Sequence, residues 1–259
     1  MKPLEIDVSH YGTNEEISHN ISYSLSLGLT EFGPSPCKHD GTFVIVGSGS
    51  SLLNQVESIT QERLKGRPIC AINGAHDFLV DNGLTPDLFL TTDPRAMPQN
   101  FKRKNDKTVY LIASRCHPDT FKELKGKHIV IWHAWMDNEE ADFIISRNKI
   151  GIGGGTTSGL RAVNVAYVLG YRNIHMYGLD SCLDDKGAKR FCDGPMTDEV
   201  KKIDVIVGGK RFLCNMAMAQ QASDFQSIYD VMPDVHIEIF GGGLLSAIQE
   251  ERKKKKLPT

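Results

Sequence analysis

The sequence predicts an α/β protein with a Rossmann-like, mostly parallel sheet, helices on both faces and a small β-hairpin insertion. Three observations lead there. From Thr42 onward, short β-branched runs alternate with helical stretches. Those runs are apolar throughout, as in strands covered on both sides. Glycine-rich turns then follow several of them, where an open α/β sheet gathers its ligands.

The elements follow in order. Residues 1–40 read as a helical lead-in: an amphipathic helix over Asn14–Leu27, then a loop marked by Gly33-Pro34-Ser35-Pro36. Residues 41–259 read as a single domain. Strands are expected at Phe43–Val46, Ile69–Ile72, Leu88–Thr91, Val109–Ala113, Ile129–Trp132, Ile174–Tyr177 and Val235–Ile239. Helices are expected at Leu52–Leu64, Pro118–Leu124, Ser158–Leu169, Asn215–Tyr229 and Leu244–Lys255. Ile203–Val207 and Arg211–Cys214 flank Gly208-Gly209, which predicts the inserted hairpin. No internal repeat or low-complexity tract interrupts the pattern.

Composition narrows the function classes. A chain of 259 residues, 40% hydrophobic and 24% charged, buries a sizeable core. Its net charge of −2 argues against nucleic acid or a membrane surface as partner, and the basic run Arg252–Lys256 reads as a solvated helix end. No segment reaches the ~18 apolar residues of a membrane span, and Met1–His10 is too polar for a signal peptide. Cys37, Cys70, Cys116, Cys182, Cys192 and Cys214 form no C-x-x-C pair. They read as reduced thiols of a cytoplasmic protein, and no zinc site is expected.

Two glycine loops carry the chemical signal. Phe43–Val46 leads into Gly47-Ser48-Gly49-Ser50-Ser51, a strand–turn–helix in which backbone N–H groups face an anion. It is neither G-x-G-x-x-G nor a Walker A loop, which disfavours NAD and P-loop chemistry. Gly153-Gly154-Gly155-Thr156-Thr157-Ser158-Gly159 opens a second helix, with hydroxyls beside unpaired first-turn donors. Asn73 ends the second strand and offers both donor and acceptor, or simply turns the chain before Gly74. Asp93 and Asp180 end two further strands, placed to carry Mg²⁺, hold a hydroxyl or act as a base, or to close ordinary turns. Their convergence at one sheet edge predicts a nucleotide or phosphate site. His76 and His133 are base candidates or hydrogen-bonded core imidazoles. Trp132 and Trp135 stack a ring ligand or simply pack.

These residues resemble a known family. Val46 to Leu52 is similar to the G-x-G-P-S-L loop of the 6-hydroxymethylpterin diphosphokinase MptE-like proteins, which include flagellin-modifying motility accessory factors. Ala71–Ala75, Leu79–Gly83, Pro86-Asp87, Asp93-Pro94, Gly155–Gly159 and Leu169-Gly170 to Gly178-Leu179-Asp180 resemble that family's later blocks, and Glu16–Leu29 its leading helix. A more distant likeness joins bacterial family-42 sialyltransferases. It implies that Ser48, Asn73, Thr157, Ser158 and Gly159 cradle a CMP-sugar. Ser50 stands where the family has proline, and no histidine occurs between His175 and His236, the region in which those sialyltransferases carry their base.

The expected function is therefore nucleotide-dependent transfer, foremost of a glycosyl group from a CMP-type sugar. Binding falls to Gly47, Ser48, Gly49, Ser50, Ser51, Asn73, Gly155, Thr156, Thr157, Ser158 and Gly159, and catalysis to Asp93 and Asp180. The alternatives are Mg²⁺-dependent pyrophosphate transfer from ATP to a pterin alcohol, or nucleotide binding without catalysis. Partners are a nucleotide and a small acceptor, with self-association left open.

Overall fold

The computed structural model describes residues 12–35, 37–135, 138–191 and 200–256. Its first helix, α1 (Asn14–Ser26), starts from a reciprocal cap. The Glu16 N–H donates to Thr13 Oγ1 at 3.2 Å, and the Thr13 N–H donates to Glu16 Oε2 at 2.8 Å.

The chain then enters strands β1 (Thr30–Glu31), β2 (His39–Val46), β3 (Ile69–Ile72), β4 (Leu88–Thr91), β5 (Val109–Ala113) and β6 (Ile129–Ala134). Between them lie a 3-10 turn (Ser50–Asn54), α2 (Val56–Leu64), α3 (Ala75–Asp81), a second 3-10 turn (Pro98–Asn100) and α4 (Pro118–Glu123). After β6 come α5 (Asn138–Ile145), β7 (Gly151–Ile152), α6 (Ser158–Val168) and β8 (Tyr171–Tyr177). The hairpin β9 (Lys202–Val207) and β10 (Lys210–Asn215) precedes α7 (Met216–Val231), β11 (His236–Phe240) and α8 (Leu244–Lys256).

Among the described residues, nine strands form one sheet in the order β1-β6-β5-β4-β3-β2-β8-β11, with β7 also on β6. Every pairing in that sheet is parallel. Since β5 occupies one edge of β6, β1 and β7 share the other, at Val130-Ile131 and His133-Ala134. The hairpin is a separate antiparallel pair, as the Gly208-Gly209 signal predicts.

Both faces are covered, which explains the continuous apolar runs. Alternate residues of β2 point to opposite sides: Phe43 and Ile45 join a core with α6 and α7, Val44 and Val46 one with α2 and α3. A third cluster, Ile17, Ile21 and Ile144, joins α1 to α5.

Most predicted strands stand where expected, β3, β4 and β5 to the residue. The expected helix Leu52–Leu64 is a 3-10 turn and then α2, broken at Gln55, whose side chain bonds Gly178 and Phe240 instead of continuing the turn. The lead-in contributes β1 to the main sheet. Four elements are too short for periodicity to announce: α3, α5 and the two-residue β1 and β7.

The order places a topological switch at β2. The chain steps from β2 through β3 to β6 on one side, while β8 and β11 lie on the other. The carboxyl ends of β2 and β8 thus flank the crevice where doubly wound sheets bind ligands. Among the described residues, no helix is long and apolar enough to cross a membrane.

Candidate functional site

The two loops at the switch point are bonded to each other. The Gly47 N–H donates to the Tyr177 carbonyl and the Gly49 N–H to the Gly178 carbonyl, both at 2.8 Å. A side chain would not fit between them. A Cβ on Gly47 would lie 2.6 Å from the Gly178 carbonyl oxygen, and one on Gly49 would lie 2.5 Å from Asp180 Oδ2. Asp180 accepts from the Ser51 N–H at 2.9 Å and from the Ser51 hydroxyl at 2.5 Å. Three donors expected to face a phosphate, those of Gly47, Gly49 and Ser51, therefore serve the fold. The physical reason is proximity: β2 and β8 are neighbours, so their loops satisfy one another.

The start of α6 faces the crevice, and among the described residues no acceptor meets its Ser158 and Gly159 N–H groups. Thr157 is its N-cap, with an extended backbone, and its hydroxyl accepts weakly from the Leu160 N–H at 3.4 Å. Helix geometry leaves the Ser158 and Gly159 N–H groups without intrahelical acceptors, at the positive end of the macrodipole. α7 fixes this turn from behind. Gln221 Nε2 donates to Thr157 Oγ1 at 3.0 Å, and Asp224 Oδ2 accepts from the Thr156 N–H and hydroxyl, both at 2.9 Å. Gln221 Oε1 also accepts from the Ser181 hydroxyl at 3.1 Å, which ties α6 to the loop after β8.

A cleft of about 150 Å³ opens between these parts. Its walls include Ser48, Asn73, Ser158, Gly159, Lys189 and Arg190. That is room for a phosphate-sized group, whereas pockets that enclose a whole small ligand are roughly 300–1,000 Å³. Asn73 has a left-handed backbone, φ 49°, and its Oδ1 is buried without a hydrogen-bond partner among the described residues. An acceptor already buried and unpaired incurs no further desolvation when a donor reaches it.

Lys189 and Arg190 are new. Sequence reading passed over them because a basic pair in a polar loop carries no periodic signal. Their loop is shaped by Asp184, which accepts from the Lys186 and Ala188 N–H groups at 2.9 and 2.8 Å. The Ala188 N–H foremost, with Ser50 and Lys186 also contributing against slight burial, holds the Asp184 carboxyl below the usual range. The Phe191 N–H then donates to the Ser48 carbonyl at 3.1 Å, folding the basic pair over the cleft.

The predicted residues thus separate. Gly47, Ser48, Gly49, Asn73, Thr157, Ser158, Gly159 and Asp180 line the cleft; Ser50, Ser51, Gly155, Thr156 and Asp93 do not. Asp93 is clasped by Arg95 through Nε at 2.9 Å and Nη2 at 2.7 Å. His76 is fully buried, edge-on to Phe89 with ring centroids 5.5 Å apart. His133 is buried with Nδ1 on Ser114 at 2.9 Å and Nε2 on Glu31 at 3.3 Å. Neither histidine lines the cleft. Trp132 is buried and donates to the Leu111 carbonyl, whereas Trp135 is exposed, so they do not form one stacking pair. Among the described residues, no group of three or more His, Cys, Asp or Glu side chains is placed to hold a metal ion.

A family model described as 6-hydroxymethylpterin diphosphokinase MptE-like matches residues 15–186. No curated protein matches the chain. Among solved structures, the MAf glycosyltransferase from Magnetospirillum magneticum AMB-1 aligns with 94% of this chain at 14% identity and a TM-score of 0.64. The aligned region is 41% of that protein, so this chain spans about two fifths of its length. A mammalian sialyltransferase aligns with 90% of this chain and 81% of its own, at 12% identity and a TM-score of 0.45. The first of these likenesses establishes a common fold.

Proposed function

We propose that this chain, which belongs to the 6-hydroxymethylpterin diphosphokinase MptE-like family, is a nucleotide-dependent transferase whose donor phosphate binds at the start of α6. One observation carries the reading. The open first turn of α6 meets Asn73 and the Lys189-Arg190 loop in the switch-point crevice. The donor is a nucleotide-activated sugar of the CMP type, and the transferred group is glycosyl. The glycosyltransferase that shares the fold supports this choice.

In this reading the Ser158 and Gly159 N–H groups stabilise the phosphate as it leaves the sugar, when its charge is greatest. Asn73 Oδ1 accepts from a hydroxyl or amine of the donor. We assign Asp180 to holding the Ser51 loop and not to the base, since both of its oxygens accept from Ser51.

The family's description favours a second reading, pyrophosphate transfer from ATP to a pterin alcohol. It calls for Mg²⁺ between phosphates. The described carboxylates fit that ion poorly, since Asp180 is held by Ser51 and Asp93 by Arg95.

A thermal-shift screen of CMP, UDP, GDP and ATP, each with and without Mg²⁺, tests the choice. A ligand at 100 times its Kd adds about 2.7 kcal/mol of stability. CMP is expected to stabilise the protein without metal. Stabilisation by ATP alone, and only with Mg²⁺, would replace glycosyl transfer with the second reading. No shift with any nucleotide would remove both.

A further inference from the structure

Among the described residues, β11 ends the main sheet and pairs with β8 alone, so its outer edge has no strand beside it. Gln249 of α8 stands there instead. Its Oε1 accepts from the Ile239 N–H at 3.0 Å, and its Nε2 donates to the Ile237 carbonyl at 2.5 Å. In a parallel ladder, one residue of an added strand would donate to that carbonyl and accept from the N–H two residues on. The side-chain amide thus imitates one peptide unit of a further strand.

Packing alone does not call for glutamine at this position. Its α8 neighbours Leu244, Leu245, Ala247 and Ile248 are buried and apolar, and Gln249 itself is 5% exposed. A leucine would fill that space without desolvating an amide. Here the amide is matched at both ends, with Nε2 also donating to the Tyr229 hydroxyl at 3.2 Å. Beyond it the edge borders an open cavity of about 430 Å³, walled in part by Tyr229, His236, Glu238 and Arg252. A strand has room to approach once Gln249 withdraws.

We infer that Gln249 is a plug that keeps β11 from pairing with β11 of a second copy of this chain. An unpaired strand edge is a template for another strand. A second copy is the partner because the edge is complementary to itself. In an antiparallel two-fold pair centred on Ile237, the Ile237 N–H and carbonyl of each copy engage those of the other. The same register sets His236 of each copy opposite Glu238 of the other, an imidazole against a carboxylate. Both side chains are exposed on β11. The plug occupies the Ile237 carbonyl that this register needs.

Sedimentation velocity of the full chain over a range of concentrations tests it. Gln249→Ala removes the amide and is expected to dimerise about tenfold or more tighter than the wild type, the scale of one or two hydrogen bonds gained. Gln249→Ala/Glu238→Lys removes the cross-strand carboxylate and puts lysine on the opened edge, and should return to wild-type behaviour. Amide hydrogen exchange locates the contact. The Ile239 N–H should be protected in the wild type, exchange faster in dilute Gln249→Ala, and regain protection as the dimer forms.

Melting of each variant checks that it folds. If Gln249→Ala does not, Gln249→Asn, one methylene short of the edge, carries the same expectations. Three results would each overturn the inference: self-association of Gln249→Ala no stronger than that of the wild type, association that survives Glu238→Lys, or a wild-type Ile239 N–H that exchanges as fast as an unbonded amide. The last needs no variant.

Discussion

Asp180 closes on Ser51, accepting from its N–H at 2.9 Å and from its hydroxyl at 2.5 Å. The Leu244 N–H donates to the Asp180 carbonyl at 2.8 Å, so this residue joins the loop after β2, the loop after β8 and the start of α8. It is a latch. Asp180→Asn keeps a carbonyl for the Ser51 N–H and offers its amide to the Ser51 hydroxyl, but loses the charge-assisted bonds, and is expected to cost about 1–2 kcal/mol of stability. Urea unfolding measures it. An unchanged midpoint together with a lost pH dependence of transfer would restore Asp180 to the chemistry.

The glycines divide by what stands beside them. Gly49→Ala sets a methyl against the Gly178 carbonyl and the Asp180 carboxylate, and should cost about 2 kcal/mol or more. Gly153 meets nothing within 4 Å and is not in the left-handed region, so Gly153→Ala should be neutral or stabilising by up to about 1 kcal/mol. Equal effects on the melting temperature would contradict this division.

Gly159 lines the cleft at the first turn of α6. A Cβ there would lie 2.5 Å from Leu179 Cδ2, so packing constrains it as well. Gly159→Val is therefore expected to lower the melting temperature of the ligand-free protein in addition to weakening CMP. Loss of CMP binding at unchanged stability would assign the glycine to the ligand alone.

Burial holds the His133 imidazole below its ordinary value; Glu31 opposes the shift and the nearby Lys149 charge adds to it. The unfolded chain therefore takes up this proton first as pH falls. Stability from this group is complete above about pH 6.5 and declines below it. Between pH 7.5 and 5.5, the wild type should lose more stability than His133→Asn. Parallel losses in urea titrations would show that His133 does not set this dependence.

Thiol reactivity follows exposure. Cys37 is exposed, whereas burial pushes Cys182 up to about 11, Cys214 up to about 12, and Cys70 and Cys116 higher still. Among these five, Cys37 alone should label rapidly with a thiol reagent in the native state. Mass mapping that finds Cys70 or Cys116 modified before unfolding would contradict the packed core. Cys192 lies outside the described residues.

The sequence by itself determined the layers. Apolar runs such as Phe43–Val46 and Val109–Ala113 have one stable use, as strands buried on both faces, and the helices between them had to cover those faces. The Thr157-Ser158 helix start was equally legible, because capping chemistry is local. Tertiary structure decided what each loop is for. Gly47, Gly49 and Asp180 read as ligand groups, but β2 and β8 are adjacent, so their loops bond to each other. Asp93 is the exception: its partner Arg95 lies only two residues on, so that pairing is local and stands within reach of the sequence. Lys189 and Arg190, silent in the sequence, reach the cleft because Asp184 turns their loop and Ser48 receives its end. Periodicity and capping act within a few residues of chain, whereas the partner of a polar group at a strand end lies on another strand, and only packing brings the two together.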